Sequence, residues 1–180
     1  MFLRTLWTLL RARRRPRLAT SDVGRLTMRV LPNDLDVQRH VNNGVYLSLM
    51  DLGRIDLLVR TGAWQRMRAH GIYPVIASET ISFRKSLTLW QRYVLETRIV
   101  GYDERAVYVE QRFVVAGEIY ARAHLRGRFL KASGGVVNIA ELAEVLGMPV
   151  TELARPEWVD RWAQDVALPS THAEAPSTWE

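Results

Sequence analysis

The sequence predicts an α+β fold in which one antiparallel sheet wraps around one long apolar helix. A run with apolar residues spaced three and four apart follows residue 43, which indicates a helix. Four long alternating runs, rich in β-branched and aromatic residues, follow Pro74 and indicate strands. The chain has 180 residues, of which 48% are hydrophobic, so it has the material for one domain with its own core.

The N-terminal segment is a basic arm that precedes this domain. Residues 1–18 contain six arginines and no acidic residue, whereas the rest of the chain carries 19 basic and 19 acidic residues. The arginines follow the apolar stretch, unlike in a secretory signal, and that stretch is too short to span a bilayer. The arm is therefore interpreted as an interfacial helix on an anionic membrane, with an ordinary helix packed on the body or on a second subunit as the alternative.

These differences in composition divide the chain into three parts. We predict a basic amphipathic arm over residues 1–20, a globular domain over residues 21–165 and a disordered tail over residues 166–180. Because only the arm is basic, and its apolar residues suit lipid, no nucleic-acid partner is predicted.

The domain begins with a strand and a helix. Residues 26–30 alternate in polarity and predict a first strand, which Pro32 ends. The helical pattern runs from about residue 44 to 60 and is apolar over more than one face, as is typical of a buried helix. A shorter helix is predicted over residues 63–70.

Four strands and two helices complete the predicted domain. The strand runs read "VIASETISFRKS", "RYVLETRIVGY", "RAVYVEQRFVVAG" and "EIYARAHLRGRFLKA", and the tight links "YDE" and "AGE" favour antiparallel hairpins. Asn138 is a good N-cap with Glu141 three residues on, and Gly147 is a good C-cap for the helix between them. Pro156 starts a second short helix. A single sheet leaves an open edge, for which dimerisation is the natural cover.

Several kinds of chemistry find no support in the sequence. Without cysteine there are no disulfides, thiolate nucleophiles or thiolate metal ligands. No phosphate-binding glycine loop and no G-x-S-x-G nucleophile motif occur. The four histidines lie too far apart in sequence to suggest a metal site: His40, His70, His124 and His172. No metal and no cofactor is predicted.

The stretch "DLDVQRHVNNGVYL" (residues 34–47) carries the most specific signal in the chain. It resembles the signature D-x-D-x-x-x-H-[MV]-N-N-x-x-Y-L of the hotdog-fold acyl-CoA thioesterases of the 4-hydroxybenzoyl-CoA thioesterase type. It is especially similar to the branch that includes the thioesterase-superfamily-member-6 proteins, and the resemblance extends over roughly residues 26–131. Relatives often have glycine just before the histidine, where this chain has Arg39.

We predict a cytoplasmic homodimer or tetramer with its site between two subunits. The resemblance implies that Asp36 is the catalytic carboxylate, acting as nucleophile or as general base. Backbone N–H groups of residues 41–44 would form the oxyanion hole, and the supporting loop residues would be His40, Asn42, Asn43 and Gly44. The alternative for these loop residues is capping and turn formation, which small polar side chains serve in many proteins.

The chemistry of a thioester agrees with this pattern on physical grounds. An aliphatic thiol has a pKa of about 8.5, so the leaving group needs little acid assistance. The reaction needs a base or nucleophile, which a carboxylate supplies. It also needs donors for the developing oxyanion, and the unpaired N–H groups at a helix N-terminus supply them. A carboxylate just before a buried helix therefore suits thioester hydrolysis.

Further residues are predicted to contact the substrate. Tyr46 belongs either to the core or to the acyl channel, and Ser78 and Glu79 lie on the strand expected to face the site. Asp51 and Asp56 each have an arginine at pairing distance and are interpreted as structural. The CoA phosphates would be bound by cationic side chains, for which the candidates are Arg39, Arg84, Lys85 and Arg128.

Three functions remain open from the sequence alone. The first is an acyl-CoA thioesterase that releases a carboxylic acid and CoA. The second is a non-catalytic hotdog protein that binds acyl-CoA or lipid, or acts as a scaffold. The third is a membrane-surface protein whose arm, residues 1–18, is its function, which would place the protein peripherally at the inner membrane surface.

Overall fold

The computed structural model describes residues 1–147, 156–170 and 173–178. Part of the predicted tail, with His172, lies outside these residues. The described elements follow in the order α1 (Phe2–Ala12), β1 (Gly24–Arg29), a 3-10 turn (Pro32–Asp34), α2 (Asn43–Arg60), α3 (Ala63–Ala69), β2 (Ile72–Phe83), β3 (Arg92–Tyr102), β4 (Val107–Val115), β5 (Glu118–Lys131), β6 (Val136–Val137), α4 (Ile139–Leu146) and α5 (Glu157–Asp165).

The strands form one antiparallel sheet in the order β1-β3-β4-β5-β2, and β6 pairs with the end of β5. The predicted hairpins β3–β4 and β4–β5 are confirmed. Strand β2 begins at Ile72, earlier than predicted, and Pro74 lies inside it. Proline lacks the N–H that a central strand needs, but β2 is an edge strand and pairs only with β5 within the described chain.

Helix α2 lies against one face of this sheet, as the helical pattern predicted. Gly53 permits the close approach, since a Cβ added there would lie 2.6 Å from the Thr97 hydroxyl oxygen and 2.7 Å from Leu95 Cδ2. Beside it the fully buried Gln111 donates from Nε2 to the Met50 carbonyl at 3.0 Å and to the Thr97 hydroxyl at 2.9 Å. The helix and sheet are thus joined by a satisfied polar contact within the apolar core.

The opposite face of the sheet is covered in part by α5. Val159 and Ala163 of this helix pack with Ala106 and Tyr108, next to residues of the main core. The alternation predicted for β4 is therefore confirmed, because Tyr108 faces α5 while its neighbours Val107 and Val109 face α2.

Helix α1 is docked on the domain. Arg4 binds the buried Asp34 with both terminal nitrogens, at 2.8 and 2.9 Å, and Arg15 binds the buried Asp56 at 2.8 Å. Thr8 and Ala12 are buried against the domain, as in the second alternative for the arm. The outward side of α1 exposes large apolar residues, namely Phe2, Leu3, Leu6, Trp7 and Leu10. Among the described residues, no helix has the length and hydropathy needed to cross a bilayer.

Caps and ion pairs predicted from the sequence are confirmed in the helices. The Asn138 side chain accepts from the Glu141 N–H at 2.8 Å, and Gly147 adopts the left-handed conformation at the C-terminus of α4. On α2, Asp51 pairs with Arg54, and Asp56 pairs with Arg60 at 3.2 Å. Both aspartates are thus paired with arginine, which agrees with their interpretation as structural residues.

Candidate functional site

The site is built on the loop between the 3-10 turn and α2. Leu35 and Val41 form a β-bridge that closes this loop, and the Asp36 N–H donates to the His40 carbonyl at 2.8 Å. His40 also forms a bridge with Thr88, which ties the loop to the connection between β2 and β3. His40 therefore braces the loop through its backbone.

Arg39 occupies a strained position in this loop. Its φ of 63° lies in the left-handed region, where a residue with a Cβ is disfavoured by about 1–2 kcal/mol. Glycine, which relatives often carry here, avoids that cost. The tight turn explains why this backbone position suits glycine, and the exposed arginine side chain is retained at an energetic cost.

Asp36 holds the turn together while keeping part of its carboxylate unused. Oδ1 accepts from the Gln38 N–H at 2.9 Å and from the His40 N–H at 3.2 Å. Oδ2 has no hydrogen-bond partner among the described residues. The side chain is partly exposed, so water can solvate this oxygen.

The other aspartate of the motif has a different environment. Asp34 is 1% exposed, and its carboxylate accepts from Arg4 and from the Leu31 N–H at 2.8 Å. Its carbonyl accepts from the Asn42 N–H at 2.9 Å. Asp34 is therefore a structural residue that fixes the loop to α1 and to the start of α2.

A pocket of about 140 Å³ lies beside this loop. It brings together the loop, the first turn of α2 and the end of β2. Its lining residues are Asp36, Gln38, His40, Val41, Asn43, Tyr46, Phe83, Lys85 and Ser86. The contributions of Gln38, Phe83 and Ser86 were not predicted, because only the folded chain brings the end of β2 over the loop.

The backbone N–H groups at the start of α2 are mostly occupied. The Val41 N–H donates to Leu87, the Asn42 N–H to Asp34, and the Gly44 N–H to the Asn42 side chain at 2.9 Å. The Asn43 N–H has no acceptor among the described residues. Asn42 is thus the N-cap of α2, and of the predicted run only Asn43 offers an unpaired donor within the described structure.

Tyr46 forms the inner wall of the pocket and belongs to the core. It is 2% exposed, and its ring makes edge-on contacts with Phe83 and Phe113. Its hydroxyl accepts from the Leu87 N–H at 3.3 Å. Burial raises the pKa of the Tyr46 phenol, so it stays neutral at physiological pH.

Ser78 and Glu79 do not line this pocket. Ser78 lies opposite Arg126 on β5, and Glu79 lies opposite Leu125. Oε2 of Glu79 is buried and has no hydrogen-bond partner, and burial raises the pKa of this carboxyl, although nearby Arg54 lowers it. Within one chain, the structure therefore brings Tyr46 to the Asp36 pocket but not Ser78 or Glu79, whose contact with the substrate stays a prediction.

The predicted phosphate-binding cations differ in their availability. Arg84 and Lys85 both bind Glu118, at 2.7 and 2.6 Å, so neither is a free cation in this structure. Lys85 nevertheless lines the pocket. Arg39 is exposed, and Nε of Arg128 is buried without a hydrogen-bond partner. Of the four candidates, Lys85 is the one that lines the Asp36 pocket in the described structure.

Comparison with known families agrees with this architecture. The sequence profile of the thioesterase-like superfamily matches residues 30–163, most of the chain. The Protein THEM6 of Xenopus laevis is 41% identical over 99 residues, which cover 55% of this chain and 48% of that protein. The chain spans about half the length of the curated relatives it matches.

Solved structures share the fold. The probable thioesterase YbaW from Escherichia coli has a TM-score of 0.64 and 24% identity, covering 71% of this chain and 98% of its own. The gentisyl-coenzyme A thioesterase BH1999 has a TM-score of 0.61 and 20% identity, covering 67% of this chain and 98% of its own. At these identities the comparison shows the hotdog fold.

Proposed function

Since the chain belongs to the thioesterase-like superfamily, we propose that it is an acyl-CoA thioesterase that hydrolyses a thioester to a carboxylic acid and CoA. The observation that carries this proposal is the position of Asp36 beside a pocket that also includes Asn43 at the start of α2. The unpaired Oδ2 of Asp36 and the unpaired N–H of Asn43 are the two groups that thioester hydrolysis requires.

The carboxylate of Asp36 would act in one of two ways. As a general base it takes a proton from water, the hydroxide adds to the thioester carbon, and the C–S bond breaks to release the CoA thiolate. As a nucleophile it forms an acyl anhydride with loss of the thiolate, and water then hydrolyses the anhydride. The hydrogen bonds to Oδ1 hold the side chain in place for either course.

The N-terminus of α2 would stabilise the oxyanion. The Asn43 N–H has no competing acceptor in the described structure, and the dipole of an 18-residue helix favours negative charge at this end. One such donor is worth about 3 kcal/mol in the transition state. The buried face of α2 keeps this donor rigid relative to the Asp36 loop.

The substrate would extend beyond one chain. A pocket of about 140 Å³ holds the thioester group and the first carbons of an acyl chain, but it is too small for a whole acyl-CoA. Self-association through the open edge of β2 would supply the remaining walls, and Lys85 and Arg39 would meet the CoA phosphates. BH1999, which shares the fold, is a thioesterase for a coenzyme A ester, and this supports the proposed substrate class.

The arm would give the enzyme a peripheral position at a membrane. The outward side of α1 exposes Phe2 and Leu3 to 78% each, together with Leu6, Trp7 and Leu10. A helix with such a face, flanked by arginines, binds at the interface of an anionic bilayer rather than crossing it. The exposed apolar side of α1 supports a peripheral contact with a membrane, and the inner membrane surface is our proposed location.

The Asp36→Asn variant tests the catalytic proposal. Asparagine keeps an oxygen that accepts from the Gln38 and His40 N–H groups, so the loop stays folded, but it is neither base nor nucleophile. We expect kcat with acyl-CoA substrates to fall by about 10²- to 10⁴-fold in a thiol-release assay. Asp22→Asn is the matched control, because Asp22 also accepts a backbone N–H at 2.8 Å, from Ala19, and lies outside the pocket.

Two results would contradict the proposal. If folded Asp36→Asn retains activity, Asp36 is neither the base nor the nucleophile. The second result is that the wild type binds CoA esters but hydrolyses no member of an acyl-CoA panel. That result would favour the alternative, a non-catalytic hotdog protein.

A further inference from the structure

A second concave region lies between α1 and the edge of the sheet formed by β1 and β3. It has a volume of about 510 Å³ and lies apart from the Asp36 pocket. Its lining residues are Arg4, Trp7, Thr8, Arg11, Thr27, Met28, Arg29, Leu31, Leu52 and Arg92. We infer that this groove, called here the α1 groove, seats the anionic headgroup of a phospholipid when α1 lies on a bilayer.

The first argument is an unrelieved pair of positive charges. Arg29 and Arg92 lie directly opposite each other on the antiparallel strands β1 and β3, and both line the α1 groove. Like charges in this arrangement repel. Neither side chain has a carboxylate partner among the described residues. A phosphate between the two guanidinium groups would remove the repulsion and accept several hydrogen bonds.

Other charged pairs in the same sheet are relieved within the protein. Four residues along the same ladder, Arg25 lies opposite Glu96 and binds it at 3.0 Å. A second like pair, Arg112 and Arg122 on β4 and β5, has Glu110, which accepts from Arg112 at 2.7 Å. The pair in the α1 groove therefore differs from these pairs because neither of its arginines forms an ion pair within the described structure.

The second argument is the fixed orientation of α1. Arg4 of α1 and Arg15, three residues after the end of the helix, are committed to the buried Asp34 and Asp56. Arg11 lies over the ring of Trp7 at 4.8 Å and lines the groove. The helix cannot rotate without breaking these ion pairs, and Trp7 belongs both to its exposed apolar side and to the lining of the α1 groove.

The chemistry of this surface matches a lipid rather than a free anion. Met28, Leu31 and Leu52 make much of the groove apolar, and Trp7, 54% exposed, stands at its rim. Tryptophan and leucine partition into the interfacial region of a bilayer, while arginine binds the phosphates. A small soluble anion would leave this apolar surface in water. The inference rests on the proposed peripheral location and adds the residues that would bind the lipid headgroup.

Binding to vesicles tests the inference. The full-length protein and its variants are sedimented with phosphatidylcholine vesicles that contain or lack phosphatidylglycerol, at fixed ionic strength. We expect Arg29→Gln/Arg92→Gln to bind the anionic vesicles at least about tenfold more weakly than the wild type, since each arginine near an anionic surface contributes about fivefold. The control Arg105→Gln/Arg122→Gln removes the same charge from exposed positions elsewhere, and we expect less than about threefold weakening.

The apolar side of α1 is tested separately. Leu3→Ser/Trp7→Ser should weaken binding to both kinds of vesicle, whereas Trp158→Ser/Leu168→Ser, exposed residues in and after α5, should not. Equal weakening by the two double arginine variants overturns the assignment of the α1 groove. Two results together would show a site for a free anion and overturn the assignment to a lipid headgroup. They are that millimolar inorganic phosphate competes with vesicles for the wild type, and that Leu3→Ser/Trp7→Ser binds vesicles as well as the wild type does.

Sedimentation velocity distinguishes a protein partner from a membrane. A change of oligomeric state in Leu3→Ser/Trp7→Ser without weaker vesicle binding overturns the proposal in favour of a contact between chains. Hydrolysis of a soluble acyl-CoA without vesicles is measured in parallel. We expect it to be unchanged in Arg29→Gln/Arg92→Gln, so a failure of vesicle binding is distinguishable from a failure of the proposed enzyme activity.

Discussion

Two aspartates separated by one residue have opposite environments in this protein. Asp34 is buried and bound by Arg4, while Asp36 is partly exposed at the pocket with one oxygen free of hydrogen bonds in the described structure. Asp34 ends the 3-10 turn, where its carboxylate meets Arg4 and the Leu31 N–H, whereas Asp36 lies inside the loop that the bridge between Leu35 and Val41 closes. A single turn thus separates a structural acid from the proposed catalytic one.

The ionisation of Glu79 is expected to make the stability of the fold depend on pH. Burial raises its folded-state pKa above the ordinary value of 4.5, so ionising it at neutral pH opposes folding. This cost is absent below the unfolded pKa and grows as the pH rises toward the folded value. Glu79→Gln should therefore be more stable than the wild type at pH 7, by less than about 1 kcal/mol because the group is partly exposed.

Urea unfolding between pH 4 and pH 8 measures this effect. The stability difference between Glu79→Gln and wild type should shrink toward zero as the pH falls to 4. Glu104→Gln, the same change at an exposed turn residue, is the control. A difference that stays constant over the whole pH range would show that ionisation of Glu79 is not its source.

At the scale of elements, the docking of α1 depends on buried acids in the domain. Asp34 is only 1% exposed, and removing Arg4 takes away its charged partner. Breaking one partner of a buried ion pair costs several kcal/mol, and Arg4 is 20% exposed, so we expect Arg4→Gln to lower the free energy of unfolding by about 2 kcal/mol.

The control for this prediction is Arg25→Gln. Arg25 makes a similar ion pair at 3.0 Å, but its side chain is 62% exposed, and such pairs contribute less than about 1 kcal/mol. Chemical denaturation of both variants gives the comparison. Equal losses in the two would mean that burial of Asp34 does not set the strength of the α1 contact.

At the scale of the whole molecule, β2 leaves the sheet incomplete. It is a 12-residue edge strand whose exposed apolar residues include Tyr73, Ile76 and Phe83. An edge of this length and composition favours pairing with another strand. We propose that two chains pair through β2, which would join their sheets and bring the two Asp36 pockets to a shared interface.

Sedimentation equilibrium measures this association. Lysines on an edge strand oppose strand pairing, so Ile76→Lys/Thr80→Lys should raise the dissociation constant of the proposed dimer by at least about tenfold. Ser133→Lys/Leu168→Lys adds the same charge at exposed positions away from β2. An unchanged dissociation constant in the β2 variant would exclude this edge as the interface.

The sequence by itself determined most of the helices and strands, and it predicted a candidate site. The spacing of apolar residues predicted α2, alternation predicted β2 to β5, and Asn138 and Gly147 marked the ends of α4. Each of these signals is local, because periodicity and capping depend on residues within a few positions of one another. The motif at residues 34–47 is also local, but it indicated the Asp36 loop through its resemblance to a family signature.

Only the tertiary structure decided which charged groups are free and what surrounds them. Glu118 engages Arg84 and Lys85 from across the β2–β5 ladder, and Arg4 reaches Asp34 over 30 residues of sequence. The contact that requires glycine at position 53 likewise comes from two other strands. Such partners are set by strand register and helix docking, which bring distant residues together and which no local pattern encodes.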